Sequence, residues 1–570
     1  LEKLRLRLAT AEALPLLSLL GVLTGFLAGG VILAFRWTIE TLQAHYLPGG
    51  PEQFETLDWS YRLWVPIAGG LLIGLLFQWA GRAQVGVVHV MERLSYHQGH
   101  LPLRNMVLQF VGAAGSIIAG HSVGREGPSV HLGAANGSLL GQWLRLPNNS
   151  IRTLVACGVA AAIGASFNTP LAGVVFAMEV VLMEYTLAGF APVILAAVSA
   201  TAMSRWVYGS APAFSVPPLD LGSILELPFV LATGIAIGVL CAAFIHLLQL
   251  FSTRLTGWPL WLRTTLAGVV VALCALPVPQ VMGVGYDTVN SAVLGELGLG
   301  LMLAIVLFKL LATTAAMGFG LPGGLIGPTL VIGAAAGGAM ALLGAEILPG
   351  EVSSHAFYAT IGMGAMMGGT LQAPLAALMA MLELTANPNI LLPGMLAVIG
   401  ATLTSSQLFG KGPLFVELMR TRGLDYRNDP VAQSLRRLGV TAIMEQEFVT
   451  IGRHPDRKGV ESALRSAPRW LLVYGEERPV TLLPAADLAR HLEKCDEAAE
   501  IDLLEIPAQR LDVAPIPMQA SLQDALDRIS EQQVQALYVH GAGRSVVYGI
   551  VTEEAIEASY RYQPGRCTLR

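Results

Sequence analysis

Residues 120–137, GHSVGREGPSVHLGAANG, hold the makings of two unlike chemistries. Gly120, Ser122 and Gly124 fit G-x-S-x-G, in which a serine on a strand-to-helix turn attacks an acyl carbon. Gly124, Gly127 and Pro128 fit the start of a helix. The glycines permit close backbone approach, and proline is tolerated in the first turn, where its missing N–H costs nothing. The unpaired amides of such a helix start carry partial positive charge and bind anions. Glu126 lies among them. Ionised, its carboxylate competes with an anion for those amides; protonated, it lets go, so Glu126 reads as a gate. The plainer alternative is an ion pair between Glu126 and Arg125.

A nucleophile elbow requires a strand before the serine and an acid and histidine beyond it. The preceding LQFVGAAGSIIAG is a Gly/Ala-rich apolar segment with no such context. The enzyme reading on Ser122 is therefore set aside, and no catalytic or metal-binding residue is assigned. The five cysteines are scattered and lack C-x-x-C spacing, which points to neither a zinc site nor a disulfide framework.

The elements that must position Glu126 are repeated. GREGPSVHLGAANG from Gly124 returns as GLIGPTLVIGAAAG from Gly324, at a constant offset of 200 residues. FNTPLAGVVFAME at 167–179 returns as LQAPLAALMAMLE at 371–383, with Glu179 matched by Glu383. Two matches in the same order indicate duplication, a common origin of transporter folds. If the halves are inverted, two helix N-termini converge on one point, with Gly327-Pro328 supplying the second.

Composition places these elements in a membrane. The 570 residues are 54% hydrophobic and 13% charged, with 62 glycines and a mean hydropathy of +0.58; a soluble chain carries about 25% charged residues. Apolar segments recur up to residue 404, several of them short and broken by Gly or Pro, as expected where backbone lines a polar cavity. The net charge of −5 argues against a nucleic-acid partner. Of the 75 charged residues, 43 fall in 411–570, which marks a soluble region. There WLLVYG and ALYVHG read as strands, SLQDALDRISEQ as a helix burying Leu522, Ala525 and Ile529, and VVYGIVTEEAIEASY as strand, turn and helix capped by Thr552. The expected layout is an all-α polytopic membrane domain at 1–410, in halves of about 14–208 and 228–410. A linker at 411–439 and α+β units at 440–493 and 506–563 follow. The basic LEKLRLRLATAEAL at the start reads as a cytoplasmic flank.

GREGPSVHLGA, PGGLIGP and GKGPLF at 410–415 together resemble the motifs of the CLC family of chloride channels and chloride/proton antiporters, and the two C-terminal units resemble a CBS domain pair. The resemblance covers the whole chain. It implies two inverted repeats with broken, re-entrant helices, a homodimer with one pore per subunit in the inner (plasma) membrane, and a cytoplasmic N-terminus and CBS pair. It also implies Glu126 as the gate. The anion would be held by the amides of Arg125, Glu126 and Gly127 on one side and of Leu325 and Ile326 on the other. Chloride and protons are the implied transported species, membrane lipid the surroundings, and an adenine nucleotide a candidate CBS ligand; no cofactor is otherwise expected.

The chain also departs from the family pattern. The motif that usually supplies a serine hydroxyl to the anion is QVGVV at 84–88, which puts Val85 at the serine; the central tyrosine position is Phe415. The inner proton position is Val180. Glu184, four residues further on, would share its helical face and is a candidate relay, although a solvated helix end is the plainer reading. Glu179 reads as a structural acid, and His89 and His121 as packed side chains. In the CBS pair, Thr552 keeps the nucleotide-motif threonine but Ala555 replaces the ribose-binding acid; the first unit has Asp487 at the acid but Pro484 at the threonine. These losses point to passive or weakly proton-coupled chloride transport, with a chloride/proton antiporter as alternative and an antiporter for fluoride or another anion as a further one.

Overall fold

The structure is a computed structural model that describes residues 14–560 apart from 82–83, 186, 211–213, 215, 218–220, 348–352, 425–434, 437, 476–477, 494–500 and 542–545. The basic flank expected before residue 14 lies outside the described residues. Two compact units form, one from 14–142 with 151–426 and one chiefly from 427–570.

The larger unit is helical. Eight of its helices are long and apolar enough to cross a membrane, among the described residues. Helix α1 (Leu14–Tyr46) runs well past the apolar stretch 14–35. Its polar second half is held by the Arg36–Glu40 pair at 2.6 Å, one turn apart, and by Arg36 stacking 3.7 Å over the Tyr208 ring. After α2 (Trp59–Trp79) come the short α3 (Val87–Tyr96) and α4 (Leu103–Ile118). Then follow α5 (Glu126–Trp143), α6 (Asn148–Phe167), α7 (Pro170–Phe176) and α8 (Leu187–Tyr208). The second half continues with α9 (Leu227–Arg254), α10 (Leu260–Ala275), α11 (Tyr286–Val293), α12 (Leu299–Gly318) and α13 (Ile326–Ile347). It closes with α14 (His355–Leu371), α15 (Pro374–Thr385) and α16 (Leu391–Leu403). A last helix, α17 (Leu414–Thr421), buries Leu414, Phe415, Val416 and Met419 within this unit. The expected linker at 411–439 thus begins with an amphipathic helix of the membrane unit.

The duplication is visible as repeated packing. Helices α5 and α6 meet through Gly133 and Gly158, where a Cβ on Gly133 would lie 2.1 Å from the Gly158 carbonyl oxygen. Helices α13 and α14 meet the same way at Gly333 and Gly362, at 2.3 Å. Small residues at these crossings let helix backbones touch, the main attraction open to helices in lipid. The second repeat pair is tied reciprocally. The Glu179 carboxylate accepts from the Leu375 and Ala376 amides at 3.2 and 2.6 Å, while Glu383 accepts from Leu171 and Ala172 at 3.0 and 2.7 Å. Each acid therefore caps the exposed amides of the other half's proline-led helix.

The smaller unit carries one six-stranded sheet in sequence order: β1 (Phe448–Gly452), β2 (Trp470–Tyr474), β3 (Pro479–Pro484), β4 (Leu511–Pro517), β5 (Ala536–His540) and β6 (Val547–Thr552). Pairs β1/β2 and β4/β5 are parallel, each bridged by a helix, Arg457–Leu464 and Leu522–Gln532; β2/β3 and β5/β6 are antiparallel. Each triplet ends in a further helix, Ala485–Leu492 and Glu553–Tyr560, so the unit is a doubled βαββα. Strands β3 and β4 join the copies, with Leu482 opposite Leu511. Leu522, Ala525 and Ile529 are buried against Leu537, Val539 and Val551, as their spacing predicts.

Adding one methyl at the repeated crossings should be destabilising in both halves alike. Gly133→Ala and Gly333→Ala are each expected to lower stability by about 1–3 kcal/mol. Gly300→Ala, where nothing stands within 4 Å of the new Cβ, should leave it unchanged or slightly raised. Thermal melts in detergent compare the three; equal melting of all of them would contradict the packing described.

Candidate functional site

The site forms where the two copies of the Gly-Pro motif cross. Gly124 and Gly324 exchange backbone hydrogen bonds, each N–H donating to the other's carbonyl at 2.7 Å. This two-residue bridge brings the N-termini of α5 and α13 together, since the helices start two residues on, at Glu126 and Ile326. No side chain larger than hydrogen fits: a Cβ on Gly324 would stand 2.6 Å from the Gly127 nitrogen.

Glu126 is fully buried. One carboxylate oxygen, Oε2, accepts from the Gly327 amide at 3.0 Å, in the first turn of α13. The other, Oε1, accepts from the Tyr286 hydroxyl. The carboxylate therefore takes a backbone donor of the opposite helix start. Arg125 turns away, stacking 4.8 Å over the Tyr286 ring and lying 3.8 Å from Glu40. The plain ion-pair alternative, Glu126 with Arg125, is thus replaced by a hydroxyl and an amide. Tyr286 opens α11 behind Gly285, whose φ of +86° turns the chain into the site, and it is wedged between Phe167 and Phe214.

Two cavities approach this point. One, of about 420 Å³, is lined by Val85, Phe415, Gly127, Leu325 and Ile326. It brings together five of the residues expected at an anion path from sequence. Arg263 and Arg422 also line it, and among the described residues no Asp or Glu does, a lining that favours anions. The other, of about 310 Å³, is bordered by Arg125, Tyr286, Arg36, Glu40 and Glu52. Arg125 faces one cavity and Gly127 the other, with buried Glu126 between them in the chain. Beside the second cavity, burial raises the Glu52 carboxyl above the usual range, opposed by the Arg125 guanidinium. Burial also pushes Glu55 up to about 7, with the Asp287 charge adding to it.

Other expected residues lie elsewhere. Val180 is buried and borders neither cavity. Glu184 does not share its helical face. The helix widens into a π-helical turn over Ala177–Leu182 and ends at Met183, which is left-handed at φ 53°, and the Glu184 amide folds back to the Met178 carbonyl. The Glu184 side chain is only 8% exposed and lies 3.4 Å from Arg152, so it is not a solvated helix end either. His121 sits between the Ser116 and Pro66 carbonyls at 3.1 and 2.9 Å, and His89 between Arg93 and His131. The Ser122 hydroxyl is buried against Thr313 at 2.8 Å, remote from a nucleophile's exposure. In the smaller unit, Thr552 caps the final helix by accepting from the Ala555 amide at 3.3 Å. Asp487 accepts from the Gln509 amide at 3.2 Å and pairs with Arg490 at 3.4 Å.

Sequence reasoning named Gly327 as part of the second helix start but not among the donor amides, and it missed Tyr286. Gly327 stands one residue beyond the amides selected at 325 and 326, and its repeat-mate Gly127 was the available signal. Tyr286 carries none: it is 160 residues from Glu126 and in a different motif.

The fold and site define a polytopic membrane protein built on two crossed helix starts with a carboxylate between them. The profile of the voltage gated chloride channel family matches residues 69–406, and the chain belongs to that family. A ClcB-like protein of Ralstonia nicotianae, named as a chloride channel protein, is 34% identical over 388 residues, covering 65% of this chain and 90% of the relative. The H(+)/Cl(−) exchange transporter ClcA of Vibrio cholerae is 29% identical over 325 residues, 55% of this chain and 69% of that one. The structure of a eukaryotic CLC transporter superposes with a TM-score of 0.61 over 95% of this chain and 97% of its own, at 19% identity, which shows the fold alone.

Removing the Tyr286 hydroxyl should loosen the carboxylate without disturbing the fold. A hydrogen bond to a charged group contributes about 1.5–3 kcal/mol. Tyr286→Phe is therefore expected to tighten chloride binding about tenfold or more at neutral pH, because the competing carboxylate is held less firmly. Calorimetric titration with chloride measures it; an affinity equal to the unmodified protein's would show that Tyr286 does not hold the plug.

Proposed function

We propose that this protein carries chloride across a membrane along a path gated by Glu126, passively or with weak proton coupling. The observation that carries the reading is the buried Glu126 carboxylate on the Gly327 amide, with its chain neighbours Arg125 and Gly127 bordering two different cavities, the latter lined by arginines and, among the described residues, no acids. An ionised carboxylate there occupies the donor an anion would use; a protonated one gives it up. The amides of Arg125, Glu126, Gly127, Leu325 and Ile326 are the proposed anion ligands, joined by Gly327. The relatives' names, a chloride channel protein and an H(+)/Cl(−) exchanger, support chloride as the cargo. A transport role leaves no catalytic step to assign, and no enzyme activity is proposed.

The antiporter reading needs an inner proton acceptor. Val180 cannot relay a proton, and Glu184 is tied to Arg152 outside the helix that carries Val180. The side-chain hydroxyls usual at the central anion are also replaced, by Val85 and Phe415. An anion held mainly by backbone amides passes without waiting for a proton, so slipping transport follows. An antiporter for fluoride or another anion remains the reading to separate by selectivity.

For the remainder of the chain we propose inverted halves in the inner (plasma) membrane, a homodimer with one path per subunit, and a cytoplasmic C-terminal unit acting as a CBS pair. The doubled βαββα supports the last of these. Thr552 and Asp487 are both engaged in local hydrogen bonds, which supports a structural role for the pair, with an adenine nucleotide as its candidate ligand.

Glu126→Gln removes the charged plug while keeping its shape. Anion flux from liposomes should become nearly independent of pH and, at neutral pH, rise about tenfold or more, from the loss of charge-assisted hydrogen bonds. A mutant that keeps the unmodified pH profile would remove Glu126 from the gate.

Proton coupling is read in the same liposomes with a pH dye and the membrane potential clamped. A chloride gradient is expected to drive little uphill proton movement. Pumping at a fixed stoichiometry would establish the antiporter instead; chloride, bromide and fluoride gradients compared side by side separate the anion readings.

A further inference from the structure

Helix α4 carries a glutamine that packing does not explain. Gln109 is fully buried, and among the described residues neither its Nε2 nor its Oε1 has a hydrogen-bond partner. Leaving a buried amide unpaired costs about 1–3 kcal/mol per group, so a residue with no use for it would be better replaced by leucine. Gln109 lines the same cavity as Val85, Phe415 and the N-terminus of α13.

The duplication supplies a control. At the offset of 200 that relates the Gly-Pro motifs, Gln109 corresponds to Lys309 on α12. Lys309 is equally buried, but its ammonium donates to the carbonyls of Val281 and Gly283 at 3.1 and 3.0 Å. The polar group at this position in the second half is thus a strut that ties down a neighbouring loop. Its counterpart in the first half ties down nothing. It borders a cavity that has two arginines and, among the described residues, no acids, beside a helix start.

We propose that the Gln109 carboxamide is an anion ligand of this cavity, its Nε2–H standing in for the hydroxyls absent at Val85 and Phe415. The proposal rests on the reading of this cavity as part of a chloride path. A primary amide offers both a donor and an acceptor. Nε2 faces the anion, and Oε1 accepts from a water of the anion's remaining hydration shell. The occupant is accordingly a partly hydrated small anion, which fits a site without side-chain hydroxyls.

The test uses the full-length protein with sodium chloride as probe. Chloride affinity by calorimetry, flux in liposomes and the thermal midpoint without chloride are measured for the unmodified protein, Gln109→Leu and Gln109→Glu. Gln109→Leu is expected to weaken chloride binding roughly tenfold to a hundredfold, the equivalent of one hydrogen bond to a charged group. Its midpoint without chloride should be unchanged or higher, because two unpaired buried polar atoms are removed. Gln109→Glu, of the same size but with a charged acceptor, should weaken binding further and serves alone if the leucine variant does not fold. Measurable binding by the unmodified protein with undiminished affinity in either variant would overturn the role of Gln109. A lower midpoint in Gln109→Leu with unchanged affinity would make Gln109 a packing residue and overturn it equally. If the unmodified protein neither binds nor conducts chloride, it is the chloride path itself that falls.

Discussion

Helices that stop inside a membrane leave backbone amides without partners, and in a medium without water each such amide must be paired by the protein or by what passes through it. Three pairings meet this constraint here, and each is made between the two halves of the duplication. Gly124 and Gly324 exchange backbone bonds. Glu179 and Glu383 each cap the other half's proline-led helix. Glu126 reaches from the start of α5 to the Gly327 amide at the start of α13. The first is fixed by main-chain geometry. The second uses two acids in matched surroundings. The third uses a single acid with no counterpart, since its repeat-mate is Ile326.

The glycine crossings supply the stiffness that the site requires. With Gly133 against Gly158 and Gly333 against Gly362, backbones touch backbones, and the helix starts are positioned by main chain rather than by side-chain rotamers. Interactions of a fixed dipole with a charge fall steeply with misplacement, so a rigid scaffold is what pairing a few open amides with a charge requires. The same repetition explains why so many glycines are tolerated in helices that would otherwise lose stability to them.

The two cavities differ in a way that bears on direction of approach. Among the described residues, the cavity reaching Val85, Phe415 and Ile326 has arginines and no carboxylates, while the cavity at Arg125 and Tyr286 has both signs of charge. An anion entering the first meets an attractive field and few side-chain ligands. An anion entering the second meets Arg125 with its charge shared between Glu40 and the Tyr286 ring. The amides at the crossing lie in the chain between the two, and the Glu126 carboxylate covers that of Gly327.

What was legible in the sequence was set by neighbours along the chain. The repeat, the helix starts at Glu126 and Ile326, the structural character of Glu179 and the buried face of Leu522, Ala525 and Ile529 all follow from spacing, proline position and periodicity. The pairing of Glu184 with Val180 failed because it assumed a regular helix. A single widened turn and a left-handed Met183 rotate residue 184 off that face, and no local pattern announces them. The contacts that complete the site were out of reach for another reason. Tyr286 meets Glu126 across 160 residues, and Gly327 meets it across 201. Short-range covalent geometry determined where helices begin and which amides would be left open. Only the tertiary structure decided which side chain closes each of them, because that depends on where distant segments pack and not on anything adjacent in the chain.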